Sequence, residues 1–209
     1  MPSSSTNSPE TFSIVPASPT EFLSRLEELI TIHLRAMAYS ESTRNQRRQL
    51  WRSSADNAGF ACVLAISHPQ DQAPSIHNPA HTIAGIAYGF TGEPHSWWYS
   101  QVRRGLIEAG LPADRAAQML SNYSELAEIH VDPQFQGLGL GHTLLDHIVE
   151  HLTRPTIMLS TPEVPLEGNS AWQIYRSKGF TDLLRNFRFS ADPRPFGILQ
   201  LNKSTTTSP

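Results

Sequence analysis

The sequence predicts a mixed α+β domain. Three observations predict it: short apolar runs with strand character, longer segments with apolar residues at helical spacing, and one strand candidate that feeds through a glycine-rich turn straight into a helix. The chain has 209 residues, 39% hydrophobic and 9% aromatic, which is enough to bury a core. Residues 1–10 and 203–209 are rich in Ser, Thr, Pro and Asn and read as disordered tails, leaving a single domain at about 11–202.

Thr11 to Val15 reads as a short strand. Thr20 then serves as N-cap for a helix over Glu21–Tyr39, whose Phe22, Leu26, Leu29, Ile30 and Met37 fall near helical spacing. Thr43–Ala55 is a second helix, with Leu50 and Trp51 expected to face inward. Phe60–Ser67 is an almost continuous apolar run, the pattern of a buried strand, and His81–Phe90 is a second strand expected to pair with it antiparallel. The Pro- and Asn-rich segment His68–Ala80 between them reads as a loop. Ser96–Ala109 and Pro112–Leu120 are helix candidates, and Glu125–Val131 is a strand. Gly139–Leu152 is a helix with Leu140, Leu144, Ile148 and Leu152 on one stripe. Thr156–Ser160 is a short strand, and Ser170–Lys178 is a helix stopped by Gly179. Leu183–Ser190 and Phe196–Leu201 form a closing hairpin pair.

Composition excludes several function classes. The net charge is -3, and the tightest basic cluster, Arg44, Arg47, Arg48 and Arg52, reads as a solvated helix face, so no nucleic-acid partner is expected. Cys62 is the single cysteine, which rules out an intrachain disulfide and a cysteine zinc cluster. His147 and His151 stand at i, i+4, but H-E-x-x-H and a third ligand are missing, so no metal is expected. There is no apolar run of ~18 residues, so no membrane partner is expected. The start lacks the basic and apolar regions of a secretory signal, and the expected location is cytoplasmic. The sequence leaves a homodimer open.

The sharpest motif is Ile129-His130-Val131-Asp132-Pro133-Gln134-Phe135, followed by Gln136-Gly137-Leu138-Gly139-Leu140-Gly141-His142-Thr143. The first turn of a helix presents N–H groups without internal partners, and its dipole makes that end positive. Such an end binds phosphate, and glycines let the backbone approach a ligand closely. Spacing decides among phosphate motifs. G-x-G-x-x-G would need glycine at His142 or Leu144, and a P-loop would need glycine and lysine at His142 and Thr143.

The spacing that fits is Q/R-x-x-G-x-G/A, carried by Gln136, Gly139 and Gly141, and it resembles motif A of the GNAT superfamily of N-acetyltransferases. Downstream, Asn169-Ser170-Ala171-Trp172-Gln173-Ile174-Tyr175-Arg176-Ser177-Lys178-Gly179-Phe180 resembles the family's motif B, with Ala171, Tyr175, Gly179 and Phe180 correctly spaced. Asn169 lies one residue too close to Ala171, where Gly168 takes the usual place. The resemblance covers about residues 124–182. It implies the GNAT-type fold, a central, mostly antiparallel mixed sheet flanked by helices, and acetyl-CoA as acyl donor. It assigns the coenzyme pyrophosphate to Gln136, Gly137, Leu138, Gly139, Leu140 and Gly141, with His142 at the edge and Asn169 as a further contact. Ile129 to Val131 would meet the pantetheine arm and acetyl group through the backbone.

The implied reaction is acetyl transfer to a primary amine of a small molecule, peptide or protein. By the same resemblance Tyr175 is the acid for the departing thiolate. Glu128 and His130, two apart on a strand and hence on one face, are the candidate bases. Trp97, Trp98 and Tyr99, in the segment 91–122, are candidates for an acceptor wall. The competing reading is a non-catalytic module that binds or senses coenzyme A.

Overall fold

The computed structural model describes residues 9–190 and 192–203. In chain order the elements are β1 (Glu10–Ala17), α1 (Pro19–Ser24), α2 (Leu26–Met37), α3 (Arg44–Ser54), β2 (Ala61–Pro69), β3 (Thr82–Thr91), α4 (Trp97–Glu108), α5 (Ala113–Met119), β4 (Tyr123–Val131), α6 (Leu140–His151), β5 (Thr156–Pro162), α7 (Ser170–Lys178), β6 (Thr181–Phe187) and β7 (Phe196–Asn202). One seven-stranded sheet has the order β1-β2-β3-β4-β5-β7-β6. Pairing is antiparallel for β1 with β2, β5 with β7 and β6 with β7, and parallel for β4 with β5. The mixed sheet flanked by helices is the architecture expected above. Most of the expected terminal tails lie outside the described residues, and Glu10 belongs to β1, opposite Pro69.

The helix expected over Glu21–Tyr39 is two helices. α1 starts earlier because Ser18, not Thr20, is the N-cap: its hydroxyl accepts the Glu21 N–H, and the Glu21 carboxylate accepts the Ser18 N–H at 2.9 Å. Pro19 at the first position suits that start. Arg25 then leaves helical geometry at φ -109°, ψ 12°, and its guanidinium bonds the Ile76 carbonyl and the Glu28 carboxylate. A tertiary strap thus overrides the local helical pattern. On α3, Trp51 is fully buried as expected, whereas Leu50 is 49% exposed and faces solvent.

The chain forms two compact units. Of the described residues, the first contains 9–56, 61–88 and 128–148. Its centre is an aromatic group in which Phe22, Trp51 and Tyr88 meet at centroid distances of 6.1, 5.4 and 5.2 Å. Gly85 on β3 is required here: a Cβ would lie 2.8 Å from the His130 carbonyl and 2.9 Å from Leu144 Cδ1. Of the described residues, the second unit contains 57–60, 89–127, 149–190 and 192–203. Its core gathers Trp98, Val102, Leu106, Leu120, Tyr123, Phe187, Phe189 and Phe196.

In the second unit Gly92 lies against the ring of buried Tyr123, and a Cβ there would sit 2.1 Å from Tyr123 Cζ. Gly92→Ala is therefore expected to destabilise the fold by ~1–3 kcal/mol, the usual cost of overpacking a core. A chemical-denaturation midpoint equal to that of the unmodified chain would contradict this packing.

Candidate active site

The strand β4 ends where Asp132 takes over the chain. Its carboxylate is buried, accepts the Gln134 N–H at 3.1 Å and pairs with Arg35 Nη1 at 3.1 Å, while its own N–H donates to the Ala84 carbonyl at 2.9 Å. These bonds fix a 3-10 turn over Pro133–Phe135. Gly137 and Gly139 follow with φ of 81° and 80°, in the left-handed region that glycine alone adopts cheaply. A Cβ would clash with nothing at either position, so torsion and not space demands glycine. Gln136 donates its side-chain amide to the Val131 carbonyl at 3.2 Å, and α6 begins at Leu140. Among the described residues, the N–H groups of Gly137, Leu138, Gly139, Leu140 and Gly141 donate to no protein acceptor, whereas those of His142 and Thr143 bond back to the Gly139 carbonyl. Five adjacent amides without a protein acceptor thus stand at the positive end of a helix, a place where backbone N–H groups suit an anion.

The second feature lies on β4 itself. Glu128 and His130 share a face, as their spacing predicts, and His130 Nε2 stands 2.6 Å from Glu128 Oε2. His33 on α2, which the sequence analysis did not single out, completes the group. Its Nδ1 lies 2.9 Å from His130 Nε2 and 3.5 Å from Glu128 Oε2. The other carboxylate oxygen, Oε1, receives the Trp51 indole N–H at 3.3 Å and lies 3.9 Å from Arg47 Nη1. The rings of Trp51 and His130 stack at 6.4 Å with 11° between planes. His33 is buried, and its Nε2 has no hydrogen-bond partner among the described residues.

Burial alone would push the Glu128 carboxyl up, but the hydrogen bonds from His130 and His33 prevail and hold it well below the usual carboxylate range. Burial pushes the His33 imidazole down from 6.5, against the raising effect of Glu128. Glu128 is therefore held as an anion between the two imidazoles.

The remaining sequence-derived candidates fall in the second unit. Tyr175 on α7 is buried and meets Phe180 edge-on at 5.7 Å. The Asn169 side-chain oxygen accepts the Trp172 N–H at 3.0 Å and so caps α7, which uses that oxygen structurally. Trp98 is 7% exposed in the core and donates its indole N–H to Ser160 Oγ at 3.4 Å, so it is core and not an open wall. Tyr99 is half-buried, and Trp97, 56% exposed, stacks on Phe189 at 5.1 Å. Ile129 and Val131 are half-buried on the face of β4 opposite Glu128 and His130. Among the described residues, no helix is long and apolar enough to cross a membrane.

Comparison with known proteins bears on the family and the fold. The sequence model of the acetyltransferase (GNAT) family matches residues 26–180. The GCN5-like protein acetyltransferase Rv2170 of Mycobacterium tuberculosis is 35% identical over 191 residues, covering 87% of this chain and 93% of that protein. The ribosomal protein bS18-alanine N-acetyltransferase of Escherichia coli is 31% identical over 84 residues, 39% of this chain and 57% of that enzyme. Among solved structures, a GNAT family acetyltransferase from Bacillus cereus superposes with a TM-score of 0.54 at 17% identity, covering 92% of this chain and 98% of the other. The Salmonella typhimurium protein yncA, solved with its cofactor acetyl-CoA, gives 0.56 at 12% identity, covering 95% and 98%. At these identities the structures establish the shared fold.

The buried triad also makes stability depend on pH. An unfolded His33 takes up a proton as pH falls through about 6.5, which the folded chain resists. Glu128 in the unfolded chain is protonated near 4.5, again well above its folded value. Both groups contribute stability at neutral pH that is lost on acidification. The melting temperature is expected to fall between pH 7 and 5 and to fall further toward pH 4. His33→Gln should flatten the first part of that curve relative to the unmodified chain, and equal slopes in both proteins would refute the assignment.

Proposed function

The chain belongs to the GNAT family of acetyltransferases, and on that footing we propose that it transfers the acetyl group of acetyl-coenzyme A to a primary amine on a protein or peptide. The observation that carries the donor half is the run of free amides from Gly137 to Gly141 at the start of α6, which matches the two negative charges of a pyrophosphate. The acceptor half is supported by the similarity to Rv2170, named a protein acetyltransferase, over nearly the full length of both chains.

The chemistry follows from the groups present. The amine nitrogen attacks the thioester carbon; an N–C bond forms, the C–S bond breaks and the amine loses a proton. Glu128 is too weak a base for that proton because its neighbours hold it ionised. It instead accepts the Nε2–H of His130, which leaves the lone pair of His130 on Nδ1. His130 is thus the base, and Glu128 fixes its tautomer in the way a triad carboxylate does. His33 backs the same carboxylate oxygen and positions it. Ile129 and Val131 supply backbone groups to the pantetheine arm, as the family resemblance implies. The family resemblance implies Tyr175 as the acid for the departing thiolate.

Calorimetry with coenzyme A tests the donor site: Gly139→Ala, which forces an L-residue to φ of 80°, should weaken binding, since a left-handed residue costs ~1–2 kcal/mol. Thiol release from acetyl-CoA with a peptide amine tests the chemistry. Tyr175→Phe and Glu128→Gln should each lower kcat by ~10²-fold or more while coenzyme A still binds. Full turnover in both variants would remove these residues from the mechanism, and the absence of coenzyme A binding to the unmodified protein would end the reading.

A further inference from the structure

One potential ligand atom from each of His33, Glu128 and His130 lies close to the other two. The separations are 2.6 Å from Glu128 Oε2 to His130 Nε2, 2.9 Å from His33 Nδ1 to His130 Nε2, and 3.5 Å from His33 Nδ1 to Glu128 Oε2. An ion making Zn–N and Zn–O bonds of ~2.0–2.2 Å can touch three atoms at once only if they stand within ~4 Å of each other. All three separations lie inside that limit; a tetrahedral ion sets its ligands ~3.3 Å apart, so seating it spreads His130 Nε2 from Glu128 Oε2 by several tenths of an ångström.

The protons present do not satisfy the contacts equally well. If His130 Nε2–H and His33 Nδ1–H both point at Glu128 Oε2, two N–H groups crowd each other at 2.9 Å; if only His130 Nε2–H donates to Glu128, that one hydrogen must also serve His33 Nδ1. His33 then carries its own proton on Nε2, which is buried without a partner. If His33 Nδ1 carries the proton and donates it to His130 Nε2, that nitrogen turns a lone pair toward a carboxylate oxygen 2.6 Å away. A cation at the centre satisfies three lone pairs at once. The carboxylate is also arranged for it: Trp51 Nε1–H and Arg47 engage Oε1, which leaves Oε2 for the centre.

We propose that His33 Nδ1, Glu128 Oε2 and His130 Nε2 form a site for one divalent ion of the zinc class, held by two imidazoles and one carboxylate, with a fourth position left for water. The expected absence of a metal rests on a missing local H-E-x-x-H motif and third ligand around His147 and His151, whereas here His33 stands 95 residues before Glu128 and the fold alone joins them. The Arg47 cation beside Oε1 and the unpartnered His33 Nε2 temper the affinity, so the ion is exchangeable and not structural. One consequence rests on the proposed role of His130. An ion on Nε2 drives the imidazole proton to Nδ1 and removes the lone pair that would accept the amine proton. Zinc is then a reversible inhibitor of transfer.

The test is calorimetric titration of chelator-stripped protein with ZnCl2, without coenzyme or amine. One equivalent should bind. Glu128→Gln and His33→Gln should each weaken binding by ~10–100-fold, with folding verified by circular dichroism. The double variant His147→Gln/His151→Gln removes the rival helical pair and should bind as the unmodified chain does. Co2+ added to unmodified protein should give visible d–d absorption bands, a readout that needs no variant. No saturable zinc binding, no cobalt bands, or binding lost only in the His147/His151 variant would each overturn the site. Because these measurements need no turnover, their failure leaves the acetyl-transfer reading intact. Conversely, bound zinc with undiminished transfer would support the ion site and count against His130 as base.

Discussion

A carboxylate buried beneath the sheet surface must keep its charge compensated, and much of the first unit is arranged around that requirement. Glu128 is 15% exposed and would be costly to ionise in an apolar setting. Two imidazoles on one oxygen and an indole N–H on the other supply the compensation. The helices α2 and α3 are therefore not interchangeable amphipathic covers. One must bring His33 and the other Trp51 to a fixed point on β4. Phe22 and Tyr88 pack around Trp51 and hold its indole in place. Packing and electrostatics share the same residues here.

The turn after β4 obeys a different rule. Its amides are not spent on internal hydrogen bonds, so the surrounding chain must hold the loop without them. Asp132 does this from one side, through its bonds to Ala84, Gln134 and Arg35. The Gly139 carbonyl does it from the other, through the amides of His142 and Thr143. The left-handed torsions at Gly137 and Gly139 then keep the intervening N–H groups outside the α6 ladder.

What could be read from the sequence follows from the range of the interactions involved. The strand-turn-helix unit, the alternation that puts Glu128 beside His130, and the stop at Gly179 are local patterns, and each occurs in the structure. The features at Arg25, Trp98 and His33 are set by distant partners, whereas the start of α1 is set by a local pair, Ser18 and Glu21. Arg25 interrupts a helical pattern because the Ile76 carbonyl lies within its reach. Thr20 looked like a cap because Ser18 and Glu21 were not read as a reciprocal pair. Trp98 looked like part of a binding wall because an aromatic run does not reveal that Tyr123 and Ser160 enclose its middle member. His33 had no signal beyond its place on an apolar helix face. A search for histidines on the buried stripe of α2 could have raised it as a question, but not named its partner.

His33 and His130 are separated by 97 positions. During synthesis the first of them leaves the ribosome long before the second exists. A nascent chain holding only β1 to β3 and α1 to α5 carries an indole and an imidazole made to face a carboxylate not yet translated. Such non-local closures are slow, because the intervening chain must be ordered before the contact is gained. The triad is consequently among the last features of the first unit to form, and a ribosome stalled before residue 128 would expose a half-built pocket to whatever chaperone is nearby.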